Sequence, residues 1–104
     1  MKFGLKNSGI DRMNSVFDKY DGIENVIVYR LRAMNDYRNG SDIDLTIKGN
    51  LSKRNFYDIL QELDDLNLPY MIDLSKIEEI KNSNLIDHIN RQGKTFYERK
   101  KVLQ

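Results

Sequence analysis

The sequence predicts an α/β (α+β) fold: a small mixed β-sheet with helices packed on one face. Three observations predict it. The chain has 104 residues, enough for one domain over 1–104 with a single core and too few for two. Segments of helical and strand periodicity follow one another as helix, strand, strand, helix, strand, helices, an order that suits a small mixed sheet. One segment, Asp42 to Ile47, alternates strictly between polar and apolar residues, the signature of a strand with two unlike faces.

Ile10, Met13, Val16, Phe17 and Tyr20 fall at helical spacing behind a cap expected at Asn7 or Ser8, giving a first helix over about 8–20. Asp21-Gly22 is expected to close it, with glycine in the left-handed position after the last turn. Val26-Ile27-Val28-Tyr29 reads as a buried strand. Residues 30–41 are polar and end on the turn signal Asn39-Gly40-Ser41. In the next strand Ile43, Leu45 and Ile47 face a core, while Asp42, Asp44 and Thr46 share the other face. Gly49-Asn50 ends it. Phe56, Ile59, Leu60, Leu63 and Leu66 mark an amphipathic helix over about 52–67, opened by Ser52 and stopped before Pro69. Tyr70 to Leu74 reads as a third strand. Ser75-Lys76-Ile77-Glu78 has the form of a capping box and predicts a short helix over 76–81. A last helix, about 83–92, carries Leu85, Ile86 and Ile89 ahead of Gly93 as C-cap, and the basic tail 94–104 reads as strand or fraying helix.

Composition narrows the chemistry. With 17 Lys+Arg against 16 Asp+Glu the net charge is +1, which argues against a polycation that holds nucleic acid by neutralising phosphates. The absence of cysteine excludes disulfides, zinc ribbons and thiol catalysis together. A single histidine disfavours His-rich metal sites. The N-terminal Met1-Lys2-Phe3-Gly4-Leu5 lacks the apolar core of a signal peptide, and no run reaches the ~20 apolar residues of a membrane span. The expectation is a cytoplasmic protein without membrane partners, whose chemistry would rest on carboxylates, hydroxyls, Lys or Arg with a hard cation.

Carboxylates on the polar strand face fit that expectation. Aspartates at i and i+2 of a strand point to one side, about 6.5–7 Å apart along the chain, within reach of one divalent cation or a close pair. Mg²⁺ suits such oxygen ligands and is commonly shared with substrate phosphates. Asp73 is a third candidate, a lone acid in the apolar run Met71-Ile72-Asp73-Leu74, where a charge is costly unless paired or ligated. A plainer reading makes Asp42 a turn residue, Asp44 a member of a solvated face and Asp73 a strand end. The preceding Gly40-Ser41 and the later lone acid weigh against it.

Gly40-Ser41-Asp42-Ile43-Asp44-Leu45, followed after one helix by Met71-Ile72-Asp73-Leu74, resembles the minimal nucleotidyltransferases of the DNA polymerase β superfamily. The resemblance runs from the Val26–Tyr29 strand to about Tyr97. It implies a nucleotidyltransferase-like fold, with up to two Mg²⁺ ions held by Asp42, Asp44 and Asp73, and with Asp73 positioning or activating the nucleophile. ATP or another nucleoside triphosphate would be the substrate. Many such small proteins are similar to antitoxins that act on a HEPN-type toxin by moving AMP from ATP to a toxin tyrosine.

One stretch departs from the family's pattern. After its first strand the family carries Gly-Ser-Arg-Ala-x-Gly, a turn whose glycine lets backbone N–H groups approach a triphosphate and whose serine adds a hydroxyl. Here the stretch reads Arg30-Leu31-Arg32-Ala33-Met34-Asn35. Arg30 brings bulk and charge, Leu31 removes a donor, and Asn35 is the mildest change because Asn tolerates positive φ. Arg30 either compensates as a phosphate ligand or blocks the pocket, leaving a catalytically impaired protein-binding module. Arg32 and Arg38 are further candidates for phosphate contact, and Ser41 either caps a turn or orients Asp42. His88, beside Ile89 in the last helix, reads as a structural histidine. Tyr20, Tyr29, Phe96 and Tyr97 read as core or edge aromatics.

Overall fold

A computed structural model describes residues 2–38 and 40–100. Among them the chain runs through α1 (Asn7–Asp18), β1 (Ile23–Tyr29), a 3₁₀ turn (Arg30–Arg32), β2 (Ile43–Gly49), α2 (Lys53–Asp65), β3 (Ile72–Lys76), a second 3₁₀ turn (Ile77–Glu79), α3 (Ser83–Gln92) and β4 (Lys94–Glu98). Asn39 of the expected turn and Lys101 of the basic tail lie outside the described residues. The sheet order is β3-β2-β1-β4. β1 pairs antiparallel with both β2 and β4, whereas β2 and β3 run parallel. A parallel pair needs a crossover connection, and α2 supplies it.

The core takes Ile10, Met13, Val16 and Phe17 from α1 and Ile59 and Leu63 from α2. They pack with Val26, Val28, Ile43, Leu45, Ile47 and Leu74 of the sheet. Antiparallel partners share a face, so the Val26–Ile47 and Val28–Leu45 pairs set this apolar side. The Ile27–Thr46 and Tyr29–Asp44 pairs set the opposite one. α3 lies against that second side: a Cβ on Gly93 would meet the Ile27 side chain, and the His88 ring stands edge-on to Tyr29. The second side is therefore not a solvated face. Thr46 is fully buried and shares hydrogen bonds with Ser75, and Asp44 is only 8% exposed.

Several expected boundaries move for identifiable reasons. α1 begins at Asn7 behind Lys6 with no side-chain cap, so neither Asn7 nor Ser8 serves as one. It ends at Asp18, and Gly22 is not left-handed. Gly22 is instead required by close approach. A Cβ there would fall 2.1 Å from the Asn50 carbonyl oxygen, and one on Gly49 would fall 2.1 Å from that of Gly22. The two glycines let the chain ends of β1 and β2 touch backbone to backbone. At the end of α2, Asn67 adopts φ +53 and turns the chain before Pro69. The capping box at Ser75 does not form, because β3 continues through Lys76 beside β2 and the Ser75 hydroxyl donates to Thr46. Asn82 caps α3 as a side-chain acceptor for the Asn84 and Leu85 N–H groups. The described part of the tail is strand β4. Among the described residues no helix is long and apolar enough to cross a membrane.

Candidate active site

The parallel register of β2 and β3 sets Asp44 directly beside Asp73, with neighbouring strands about 4.8 Å apart. Asp42 lies two residues before Asp44, at the mouth of β2, and both Asp42 and Asp73 are exposed. Asp44 is the buried member of the three. Burial pushes its carboxyl above the usual range; Arg30 opposes that rise, while the negative charges of Asp73 and Asp42 add to it. The three predicted acids thus influence one another on a single edge of the second sheet face.

The turn after β1 closes over this edge. Arg30 has φ +62 and Asn35 φ +56, the left-handed conformation that suits glycine and costs an L-residue about 1–2 kcal/mol. Both fall where the resembling family carries glycine, and both take a backbone conformation that glycine adopts without strain. The Arg30 N–H donates to His88 Nε2 at 3.1 Å. Its guanidinium reaches Asp44, Nη1 to Oδ1 3.7 Å, and lies 5.7 Å from the centre of the Tyr29 ring. In this contact the Nε2 lone pair of His88 is the acceptor.

The remaining candidates divide. Arg32 is 2% exposed, with its guanidinium committed to backbone carbonyls. Its Nη1 donates to the Phe3 carbonyl (2.8 Å), and its Nη2 and Nε donate to that of Ser41 (2.7 and 3.2 Å). The guanidinium lies between the Tyr37 and Tyr70 rings. Placed so, Arg32 braces the turn from behind. The Ser41 hydroxyl accepts from the Arg38 N–H at 2.8 Å, which is the turn-capping alternative. Arg38 is exposed on the same loop, and Leu31 is 44% exposed and offers no donor.

Two further residues join this edge. Tyr29, a core or edge aromatic from its sequence, is 3% exposed and pairs with Asp44 across the strands. Burial chiefly raises its phenol pKa. His88 is a satisfied histidine as expected, but its partner is the phosphate-turn backbone itself. Only the register of β1 could have flagged Tyr29 from sequence, and nothing local flags a bond between residues 30 and 88.

Metal fitness follows from the donor set. Three carboxylates are hard oxygen ligands of the kind Mg²⁺ takes, and they lie along one sheet edge. In this state, among the described residues, no three acid or histidine side chains converge as a ligand cluster, and Asp44 is turned to Arg30. The residues fit the ion in kind and share one side of the sheet, with the Arg30 guanidinium standing beside Asp44.

Comparisons with known proteins agree with the geometry. The family model for polymerase beta, nucleotidyltransferase, matches residues 11–102. No curated protein sequence matches the chain. Among solved structures, a toxin–antitoxin with AMP-PNP is similar at 17% identity and a TM-score of 0.67, over 92% of this chain and 76% of that one. A mutant of the toxin–antitoxin MntA-HpeT, with two Asp-to-Glu changes, is similar at 15% identity and a TM-score of 0.66, over the same shares of the two chains. Likeness at such identity speaks for the fold.

Proposed function

This chain belongs to the polymerase beta nucleotidyltransferase family, and from that premise we propose that it transfers a nucleoside monophosphate, AMP from ATP, to a partner protein. The acceptor in this reading is a HEPN-type toxin, which the chain neutralises as its antitoxin. The observation that carries it is the β2–β3 register, which sets Asp73 beside Asp44 with Asp42 two residues away. The toxin–antitoxin assemblies among the structural relatives, one of them with AMP-PNP, support the choice of partner and nucleotide.

In this mechanism Asp42 and Asp44, with Asp73, would hold Mg²⁺, which when bound would supply positive charge against the phosphate oxygens. Asp73, the exposed acid on the neighbouring strand, takes the proton from the acceptor hydroxyl. The hydroxyl oxygen attacks the α-phosphorus in line; the bond to the β-phosphate bridging oxygen breaks, and pyrophosphate leaves. The 30–35 turn, braced by Arg32, faces the triphosphate. Arg38, exposed on the adjoining loop, is available to it.

A second reading has its own observation. The Arg30 N–H is already taken by His88 and the Arg30 guanidinium by Asp44, as in a family member that binds its partner without modifying it. One experiment separates the two. The chain is incubated with Mg²⁺, ATP labelled at the α-phosphate, and the protein that co-purifies with it. Label on the partner, lost in Asp42→Asn and Asp44→Asn, is expected from the transferase. An unlabelled complex that survives both substitutions overturns transfer and leaves the binding module.

A further inference from the structure

The carboxylate edge already contains a cation, and three contacts hold it there. The Arg30 guanidinium is 3.7 Å from Asp44 Oδ1 and lies over the Tyr29 ring. Its backbone takes the left-handed φ of +62, a conformation that an arginine adopts only when its surroundings impose it. The imposing contact is the 3.1 Å hydrogen bond from the Arg30 N–H to His88 Nε2, which reaches across from α3. Without that anchor the residue could relax towards negative φ and swing its side chain off Asp44.

We propose that Arg30 is a resident counter-ion that competes with a divalent cation for Asp44, and that His88 is the positioning residue that keeps it there. The proposal rests on Asp44 being a metal ligand in the transferase reading, and it adds a cost of loading that no carboxylate pattern reveals. A guanidinium 3.7 Å from Oδ1 repels a second cation arriving at the same carboxylate, so the ion binds more tightly when the guanidinium moves away. Once displaced it carries its fork of donors towards the space where the turn would meet phosphate. Metal loading and phosphate binding are thereby coupled through one side chain.

The test measures Mn²⁺, an oxygen-preferring substitute for Mg²⁺, titrated into the whole chain with free ion read by electron paramagnetic resonance. A full charge about 4 Å from a ligand, discounted for its half exposure, sets an expected gain of about tenfold in affinity for Arg30→Gln. Arg30→Gly should gain as much, and it accepts the left-handed backbone without strain, so a folding defect cannot obscure the result. His88→Ala should tighten binding severalfold, and His88→Gln, whose carbonyl can accept the same N–H, should restore the wild-type value. Asp44→Asn should weaken binding in every background. Mn²⁺ affinities of Arg30→Gln and Arg30→Gly at or below wild type, or no binding by any variant, overturn the competition. An affinity in His88→Ala equal to wild type overturns the positioning role. No nucleotide or partner enters this assay. Tighter Mn²⁺ binding without any transfer therefore defeats only the transferase reading, and transfer with unchanged Mn²⁺ affinity defeats only this one.

Discussion

Replacing Arg30 by glycine and, separately, by alanine isolates the backbone strain at the turn. Both substitutions remove the guanidinium, its half-exposed ion pair with Asp44 and its contact with Tyr29, so these losses cancel in the comparison. The remaining difference is the Cβ. In ordinary helical or extended backbone, alanine is the more stable of the two by about 0.5–1 kcal/mol, because glycine has more freedom to lose on folding. At φ +62 the order reverses: the left-handed conformation costs about 1–2 kcal/mol for a residue with a Cβ. The Gly variant should therefore exceed the Ala variant by about 1 kcal/mol. With a urea m-value of about 1–1.5 kcal/mol/M for a domain of this size, that is a midpoint difference of roughly 0.7–1 M, or about 4–8 °C in melting temperature. The assay is equilibrium urea unfolding followed by circular dichroism. An Ala variant as stable as the Gly variant, or more so, refutes the left-handed turn, and with it the idea that Arg30 is held in a glycine's conformation.

Two further outcomes follow from groups away from the carboxylates. Arg32→Met leaves the Phe3 and Ser41 carbonyls without the buried guanidinium that serves them. Its cost should be about 3 kcal/mol by urea unfolding, with Arg32→Lys failing to rescue because an ammonium cannot fork to both oxygens; a loss under about 0.5 kcal/mol would contradict the bracing role. Between α1 and α2, Glu62 accepts hydrogen bonds from Lys19 and Tyr20. The bond to Glu62, and then burial, raise the Tyr20 phenol from 10.0 to about 12. A pKa raised on folding adds stability that is intact below about pH 10 and is lost as pH climbs through about 12. The alkaline fall in stability should consequently be shallower in Tyr20→Phe, and an identical alkaline limb in both proteins would refute the bond.

How much of this was legible in the sequence depended on the range of each interaction. The helices and the Asp42–Ile47 strand announce themselves because amphipathic periodicity is written along the chain. The burial of the strand's second face is not written along the strand, because the groups that cover it come from elsewhere. Ser75 reaches Thr46 from β3, and α3 arrives late in the chain to cover Ile27. The same reason defeated the capping box. Ser75-Lys76-Ile77-Glu78 has the right local residues, but pairing with β2 offers the segment a strand ladder, and the hydroxyl is used sideways. Gly22 shows the converse case. A glycine after a helix suggests a left-handed cap, yet the constraint is the Asn50 carbonyl, 28 residues on, visible only once β1 and β2 are in register.

The phosphate turn carries this point furthest. From sequence, Arg30-Leu31 in place of Gly-Ser brings bulk and charge and removes a hydroxyl, while Asn35 is the mildest change because Asn tolerates positive φ. In the structure both Arg30 and Asn35 take positive φ, in a turn held by supports from outside its own residues. Arg32 fixes it to the Phe3 and Ser41 carbonyls from behind, and His88 fixes the Arg30 N–H from above. A backbone so over-determined can accept a strained residue, since the supports supply more than the ~1–2 kcal/mol that the left-handed conformation costs. Where the resembling family carries a neutral glycine, this chain sets a cation 3.7 Å from Asp44, so the same turn that is held from outside also holds a charge beside the buried carboxylate.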